Sequence, residues 1–555
     1  MALTKLVQVP ARDVPLSKKG SVEEAINWIT PEMFGAQGDG VYDDAIAIQA
    51  AVAYAESINS GVSTRAPRVA IKFAAKTYYL NQTIKVRKGT VRWEGAGIYQ
   101  TLFTPHPDAA SAAMQFKYFF DFSSESWVSN VTRTLHEVHL SGFTFRGNDS
   151  VRRPCMYLGG VGWDCVFDTV HFYSSGLSAI VADDLFDTQF YNTRINSCGR
   201  LHNPADSADI FTHAVMFRGK YDNCNAIRFI APHFEANFGG VISITGRSNN
   251  IWFDCAKFEN NSRTTAAGAS YPVVQLSGAL IDSIKFISPF VSHPAATVSQ
   301  WFLDSNARNV EIIGGSFMSP SDLSGYTCER WFNIHRTGWA SATRCVGLMA
   351  SISMMHVNGA ATMGDAPIKL YNDAILSIDA PRVTDPNKFI EAGYDCDINI
   401  NYLTLLGSIT PAQQTALFNV VASDAKVNVD VERTVGNISG SIYHNSDMSA
   451  ASRRKSKATI RAQTAQGSGT LSEGTDTFGY DEGYVWTASG IVQNLPACHV
   501  GKQLLVRCPD TSNCLATGGN VFLTSAITGA CTVVLQSTNF SFRQGWMEVS
   551  RLTGV

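Results

Sequence analysis

Apolar residues recur through the middle of the chain at one fixed set of offsets. The segments "VHLSGFTF" (138–145), "CVFDTVHF" (165–172), "TQFYNTRI" (188–195), "IRFIAPHF" (227–234), "IWFDCAKF" (251–258), "IKFISPFV" (284–291) and "VEIIGGSF" (310–317) share it. Each carries apolar or small side chains at its first position and two, five and seven residues later. Weaker copies begin at Leu376 and Ile398. Alternation with period two marks a β-strand, and the break between the second and fifth offsets marks a bend. The starts from 138 to 310 differ by 27, 23, 39, 24, 33 and 26 residues. Two short strands meeting at a corner, repeated at that interval, predict the coils of a parallel β-helix. Pro232, Pro289 and Pro381 all fall just after the corner, where a strand tolerates proline.

Ahead of the coils the pattern changes to helical spacing. In "FGAQGDGVYDDAIAIQAAVAYA" (34–55), Ala45, Ile48, Val52 and Ala55 lie on one narrow face. Gly35, Gly38 and Gly40 predict a tight loop before it, and Asp43 or Asp44 is suited to cap the helix. A β-helix needs its open end covered, so a helix from Asp44 to about Ser57 is expected to close the N-terminal end. After about residue 435 the coil pattern fades into a polar stretch, expected to be a linker over 436–469. Short alternating runs such as "KQLLVRC" and "CTVVLQS" then predict a small antiparallel β domain over 470–555.

Composition narrows the function classes. Net charge is −3 over 555 residues, which implies no strong pull on nucleic acid or membrane. The one basic cluster, Arg453-Arg454-Lys455-Ser456-Lys457, reads as part of the linker. No apolar run approaches the roughly 20 residues of a membrane span, and the first residues lack the apolar core of a signal peptide. The twelve cysteines show no CxxC pair and are expected to be buried thiols. No phosphate loop, nucleophile elbow or dinucleotide fingerprint is present, and no cofactor or metal is implied. His335 and His356 stand alone as ordinary polar residues.

The segment "FGAQGDGVYDDAIAIQAAV" resembles the opening motif of the pectate-lyase-like β-helix superfamily, as found in bacteriophage tailspikes and polysaccharide depolymerases. The resemblance implies a right-handed parallel β-helix over about 31–435, capped at its N-terminus, with Asp39, Asp43 and Asp44 structural. It implies a homotrimer held partly by the C-terminal domain, which in tailspikes also binds sugar in some cases. Residues 1–30 then read as a short peptide attaching to a phage tail or baseplate protein. The protein would sit in the virion tail, after assembly in the host cytoplasm.

Candidate chemistry lies on the second strand of each coil. Offsets six and eight point outward, because five and seven point inward. Up the stack these pairs are Thr144/Arg146, His171/Tyr173, Arg194/Asn196, His233/Glu235, Lys257/Glu259 and Phe290/Ser292. Glu235 and Glu259 share an offset in consecutive coils, so their backbones are expected about 4.8 Å apart. A carboxylate pair suits glycoside hydrolysis. The competing reading makes Phe-Glu-x-Asn a corner strut, with Asn237 and Asn261 in a ladder. His171, Tyr173, Arg194, His233 and Lys257 are candidate substrate contacts, and equally suit a lyase that neutralises a uronate and moves its C5 proton. Trp252 is the best placed of Trp163, Trp252, Trp301, Trp331 and Trp339 to stack on a sugar ring. Asp183, Asp184 and Asp187, and Asp206 and Asp209 in a long insertion, are competing carboxylates. The expected function is endo-glycosidic depolymerisation of a bacterial surface polysaccharide, O-antigen or capsule. The alternatives are a polysaccharide lyase and a non-catalytic glycan-binding adhesin.

Overall fold

A computed structural model of the chain describes residues 27–59, 69–88, 90–106, 118–123, 135–148, 150–292 and 301–318. From 331 to 553 it describes the strands and a few flanking residues. The attachment peptide, apart from its last residues, and His335, Trp339 and nearly all of the basic cluster lie outside the described residues. Two compact units divide the chain: Met1–Ala256 with Asn261–Tyr271, and Lys257–Asn260 with Pro272–Val555. Among the described residues no helix is long and apolar enough to cross a membrane.

In the first unit the repeat becomes a ladder of parallel strands, and the repeat starts stack in register. His139 pairs with Val166, Cys165 with Thr188, Thr188 with Ile227, and Ile227 with Ile251. The chain is a parallel β-helix, and its corners have one recurring cause. The residue four positions after each start is left-handed: Gly142, Thr169, Asn192, Ala231, Cys255, Ser288 and Gly314 all have φ between 47° and 73°. A single left-handed residue turns the strand while leaving the ladder on either side intact. For a residue with a Cβ this conformation is strained, by about 1–2 kcal/mol. The same conformation recurs just before the first six of the seven starts, at Glu137, Asp164, Asp187, Ala226, Asn250 and Ser283.

The alternation then sends one column of rings inward from each strand. Phe167, Phe190, Phe229 and Phe253 stack at 4.6, 4.3 and 5.2 Å between successive centroids. Phe145 and Phe172 stack at 5.0 Å in the second-strand column. Each such pair adds roughly 0.5–1.5 kcal/mol beyond its area burial.

Near the N-terminus the helix Ala45–Asn59 buries Ala45, Ile48, Val52 and Ala55, the apolar face read from its spacing, and Ala51 beside them. The two aspartates before it divide the work. Asp43 accepts the amides of Ala45 (3.1 Å) and Asn81 (3.0 Å). Asp44 is fully buried, and its carboxylate turns back to accept the amides of Gln37 and Gly38. It thus holds the glycine loop rather than capping the helix. Asp39 accepts the amides of Val41 and Tyr42 within its own turn.

In the second unit the register continues. Ile284 pairs with Val310, Val310 with Leu348, and Leu376 with Ile398. Parallel pairing runs beyond 435, through Tyr443–His444 and Lys457–Ile460, within the stretch expected to be a linker. Among the described residues the C-terminal sheet has six strands. Cys531–Phe540 and Arg543–Thr553 form an antiparallel hairpin, and Gln503–Cys508 joins it antiparallel. Gly469–Leu471, Val485–Ala488 and Val521–Phe522 add in parallel, so the sheet is mixed. The long hairpin supplies the antiparallel pairs, while the preceding strands keep the parallel habit of the coils.

Candidate active site

The outward columns form as the spacing predicts. On the first unit Thr144, His171, Arg194 and His233 stand in one register, and Arg146, Tyr173, Asn196 and Glu235 in the next. Register alone does not make them equivalent. A loop carrying Tyr99 folds over the lower end of the first column. Its Gly97 amide bonds the Gly142 carbonyl at 2.9 Å, and the Thr144 hydroxyl accepts the Tyr99 amide at 3.2 Å. Thr144 is buried as a result, and the edge of Tyr99 meets His171 at 5.4 Å between centroids.

His171 is therefore only 4% exposed. Burial pushes its pKa down to about 4; Arg194 and His233 add to the effect and Asn196 opposes it. It is a neutral imidazole near pH 7, set beneath Tyr99 rather than open to a polymer. Arg194 is exposed and reaches the Tyr99 hydroxyl at 3.5 Å. Tyr173 is 40% exposed.

Glu235 sits above them with its side chain about half open to solvent. Its Oε2 accepts Nδ2 of Asn196 at 3.0 Å and lies 3.5 Å from Nε2 of His233. A carboxylate so placed can give or take a proton, with Asn196 beside it on the preceding rung and His233 on its own strand. Two residues on, the ladder expected of the corner asparagines is present. Asn237 donates to Oδ1 of the buried Asn261 at 2.9 Å, and each donates to a backbone carbonyl, of Ile195 and Phe234. The Asn of Phe-Glu-x-Asn is thus a strut, while the Glu235 carboxylate accepts no backbone amide among the described residues.

Glu259 belongs to the second unit, where Lys257 holds its carboxylate at 2.7 Å and also lies 5.8 Å from the Phe290 ring. Trp252 stands apart from the outward columns. It lies on the first strand, before the corner at Cys255, half-buried and covered by Arg228 at 5.7 Å. Trp301 and Trp331 are buried, and Trp163 stacks on His136 at 4.0 Å.

Asp187 is exposed, while the other four competing carboxylates are engaged. Asp183 is buried and accepts Nε of Arg218 at 2.5 Å and the Tyr157 hydroxyl at 3.0 Å. Asp184 is buried against the amides of Tyr221 and Asp222, and burial raises its pKa. In the insertion Arg152 bridges Asp206 (2.8 Å) and Asp209 (2.6 Å). Asp209 also meets Nδ1 of His202 at 3.0 Å, and Nε2 of His202 meets the Tyr271 hydroxyl at 2.9 Å. Burial pushes the Asp209 pKa up, but hydrogen bonds from His202, the Asn203 amide, Arg152 and the Phe211 amide outweigh it, leaving about 2.

No protein-family model matches the chain. A curated relative, the capsule KN3-specific depolymerase 1 of Klebsiella phage KN3-1, is 23% identical over 329 residues, which is 57% of this chain. The chain resembles a phage depolymerase. It spans about two-fifths of that relative, 39% of its length. Among solved structures, ORF18 of Geobacillus virus E2 is 14% identical over 95% of this chain and 77% of its own, with a TM-score of 0.41. The N-terminal fragment of bacteriophage phi29 gene product 12 is 12% identical over 85% of this chain and 80% of its own, with a TM-score of 0.46.

Sequence reasoning missed Tyr99. It lies in a loop, "GAGIYQ", with no periodicity to mark it. The only signal is the pair Gly95 and Gly97, which lets the loop approach the backbone at Gly142.

Proposed function

We propose that the chain binds and depolymerises a bacterial surface polysaccharide as part of a phage tail, with Glu235 as the carboxylate that transfers the proton on the first unit. The observation that carries this reading is the half-open Glu235, oriented by Asn196 and His233, in a column of outward polar side chains. Endo-glycosidic hydrolysis is the leading reaction, since a carboxylate is the usual acid or nucleophile at a glycosidic bond. Glu259, beside Lys257, is proposed as a second carboxylate to be tested on its own. Likeness to a capsule depolymerase supports the substrate class. A homotrimer attached through its N-terminus completes the reading.

A lyase reaction is the second reading, favoured by Arg146 and Arg194, which have no carboxylate partner among the described residues and suit a uronate. The test is incubation with purified capsular and O-antigen polysaccharides, followed by mass analysis of the products. New reducing ends without ultraviolet absorbance support hydrolysis, and an unsaturated uronate supports the lyase. Unchanged polymer length across the panel, with binding retained, makes the protein an adhesin. Sedimentation at the mass of one chain across micromolar concentrations removes the trimer.

A further inference from the structure

At the N-terminal end of the outward columns lies a cleft of about 640 Å³. Thr77, Tyr79, Leu102, Thr104, Arg146 and Tyr173 line it. These are rungs of the same face. Thr77 pairs with Leu102, Tyr79 with Thr104, Leu102 with Thr144, and Arg146 with Tyr173. The cleft therefore continues the column that leads through Asn196 to Glu235. Three rungs separate Arg146 from Glu235, about 14 Å at the spacing of paired strands.

The lining has a definite chemistry. Arg146 is exposed, and no carboxylate pairs with it among the described residues. The nearby carboxylates at the foot of the column are otherwise engaged: Asp39 by the amides of Val41 and Tyr42, Asp43 by those of Ala45 and Asn81. Tyr79 is half-buried and Tyr173 is 40% exposed, so each offers part of a ring to the cleft. A cation in a concavity that two tyrosines also line suits a ligand with one anionic group and an apolar ring face. A guanidinium forms paired hydrogen bonds to a carboxylate, and a pyranose ring covers a tyrosine face.

We propose that this cleft is a subsite for a negatively charged sugar residue, its carboxylate bound by Arg146 and its ring set against Tyr79 or Tyr173. The inference rests on the glycan-binding reading of the outward face and adds the class of sugar: an acidic unit, held several sugar rings from the bond that Glu235 meets. It places acidic polymers ahead of neutral ones as substrates.

The test is binding of sodium D-glucuronate, with D-glucose as the neutral probe, followed by ligand-observed nuclear magnetic resonance. The parent protein should bind glucuronate at least tenfold more tightly than glucose. Arg146→Gln should weaken glucuronate by roughly tenfold or more, as expected for one charge-assisted pair, and leave the melting curve in place. Arg146→Lys should restore part of the affinity. Equal binding of the two sugars, or glucuronate binding indifferent to Arg146→Gln, overturns the proposal. Cleavage is scored separately. A parent that binds glucuronate through Arg146 and cuts no polymer supports the subsite while removing the depolymerase reading.

Discussion

Two polar clusters on the first unit contain much the same residue types and treat them in opposite ways. Around the insertion, Arg152, Asp206, Asp209, His202 and Tyr271 form a chain in which every charge has a partner. On the outward face, Arg146 and Arg194 have no carboxylate partner among the described residues, and Glu235 keeps its side chain half open. Paired charges around a buried carboxylate such as Asp209 hold a fold together. Unmatched charge at a surface has no such role and is what a charged ligand would complete. The difference teaches that residue type is a poor guide here, and that the state of satisfaction separates the strut from the candidate site.

The sharpest way to break this comparison is to remove the proton-bearing group from each cluster. Glu235→Gln should slow initial depolymerisation by about 10²–10⁴-fold, the range for general acid–base catalysis, with the melting curve unmoved. A rate within about threefold of the parent would sink the role of Glu235, since the weakest such role exceeds that. Glu259→Gln, measured beside it, reports whether the carboxylate next to Lys257 acts too.

Asp209→Asn addresses the satisfied cluster and should do the reverse. Removing one partner of a buried charged pair costs about 3–5 kcal/mol, so the loss should appear in thermal or denaturant unfolding. Cleavage by the folded fraction should be unchanged. The pH dependence has a definite sign. The folded pKa of about 2 is below the ordinary 3.8, so the Asp209 carboxylate stabilises the fold above about pH 4. That stability is lost as pH falls toward about 2, and Asp209→Asn should flatten this part of the acid limb. Parental stability with lost cleavage would instead draw the insertion into the active site.

How much of this was legible beforehand follows from what periodicity can encode. The coil register was readable because inward apolar columns must repeat, and Cys165, Thr188, Ile227 and Ile251 do pair at the aligned position. The Asn237–Asn261 ladder was readable for the same reason. The coil at Leu348 escaped notice because Ala350 and Ser353 are too small to stand out as apolar positions. The left-handed corners were hidden because Thr169, Ala231 and Cys255 carry no glycine signal. The burial of His171 was hidden too. An outward offset states the direction of a side chain, and only the Tyr99 loop decides whether solvent reaches it.

That burial yields a subtler comparison within the outward face itself. With a folded pKa near 4 against the ordinary 6.5, His171 is neutral in the fold, while the unfolded chain takes up its proton first as pH falls. Stability should therefore drop between about pH 6.5 and pH 4, by on the order of 1–3 kcal/mol. His171→Phe keeps a ring against Tyr99 and should remove that part of the pH dependence. Melting temperatures at pH 7.5 and 4.5 for both proteins test this. An unchanged difference would mean that Tyr99 does not seal the site in solution.

The smallest expected effect concerns the corner that aims Glu235. Ala231 turns the chain between Ile230 and His233 with φ of 50°, and its amide bonds the Asp254 carbonyl at 2.8 Å. A methyl group resists that conformation, so Ala231→Gly relieves strain in the fold, while the freer unfolded chain gives part of the gain back. The net should be a stabilisation of no more than about 1 kcal/mol. At Gly246, also left-handed, the opposite change is blocked, because a Cβ there would stand 2.3 Å from the Gly219 carbonyl oxygen. Ala231→Gly also asks whether Glu235 depends on a stiff corner. If stability rises and cleavage holds, Asn196 and His233 suffice to orient the carboxylate. If stability rises while cleavage falls, the strained corner itself positions the acid, and the divide between strut and candidate site runs through a single residue.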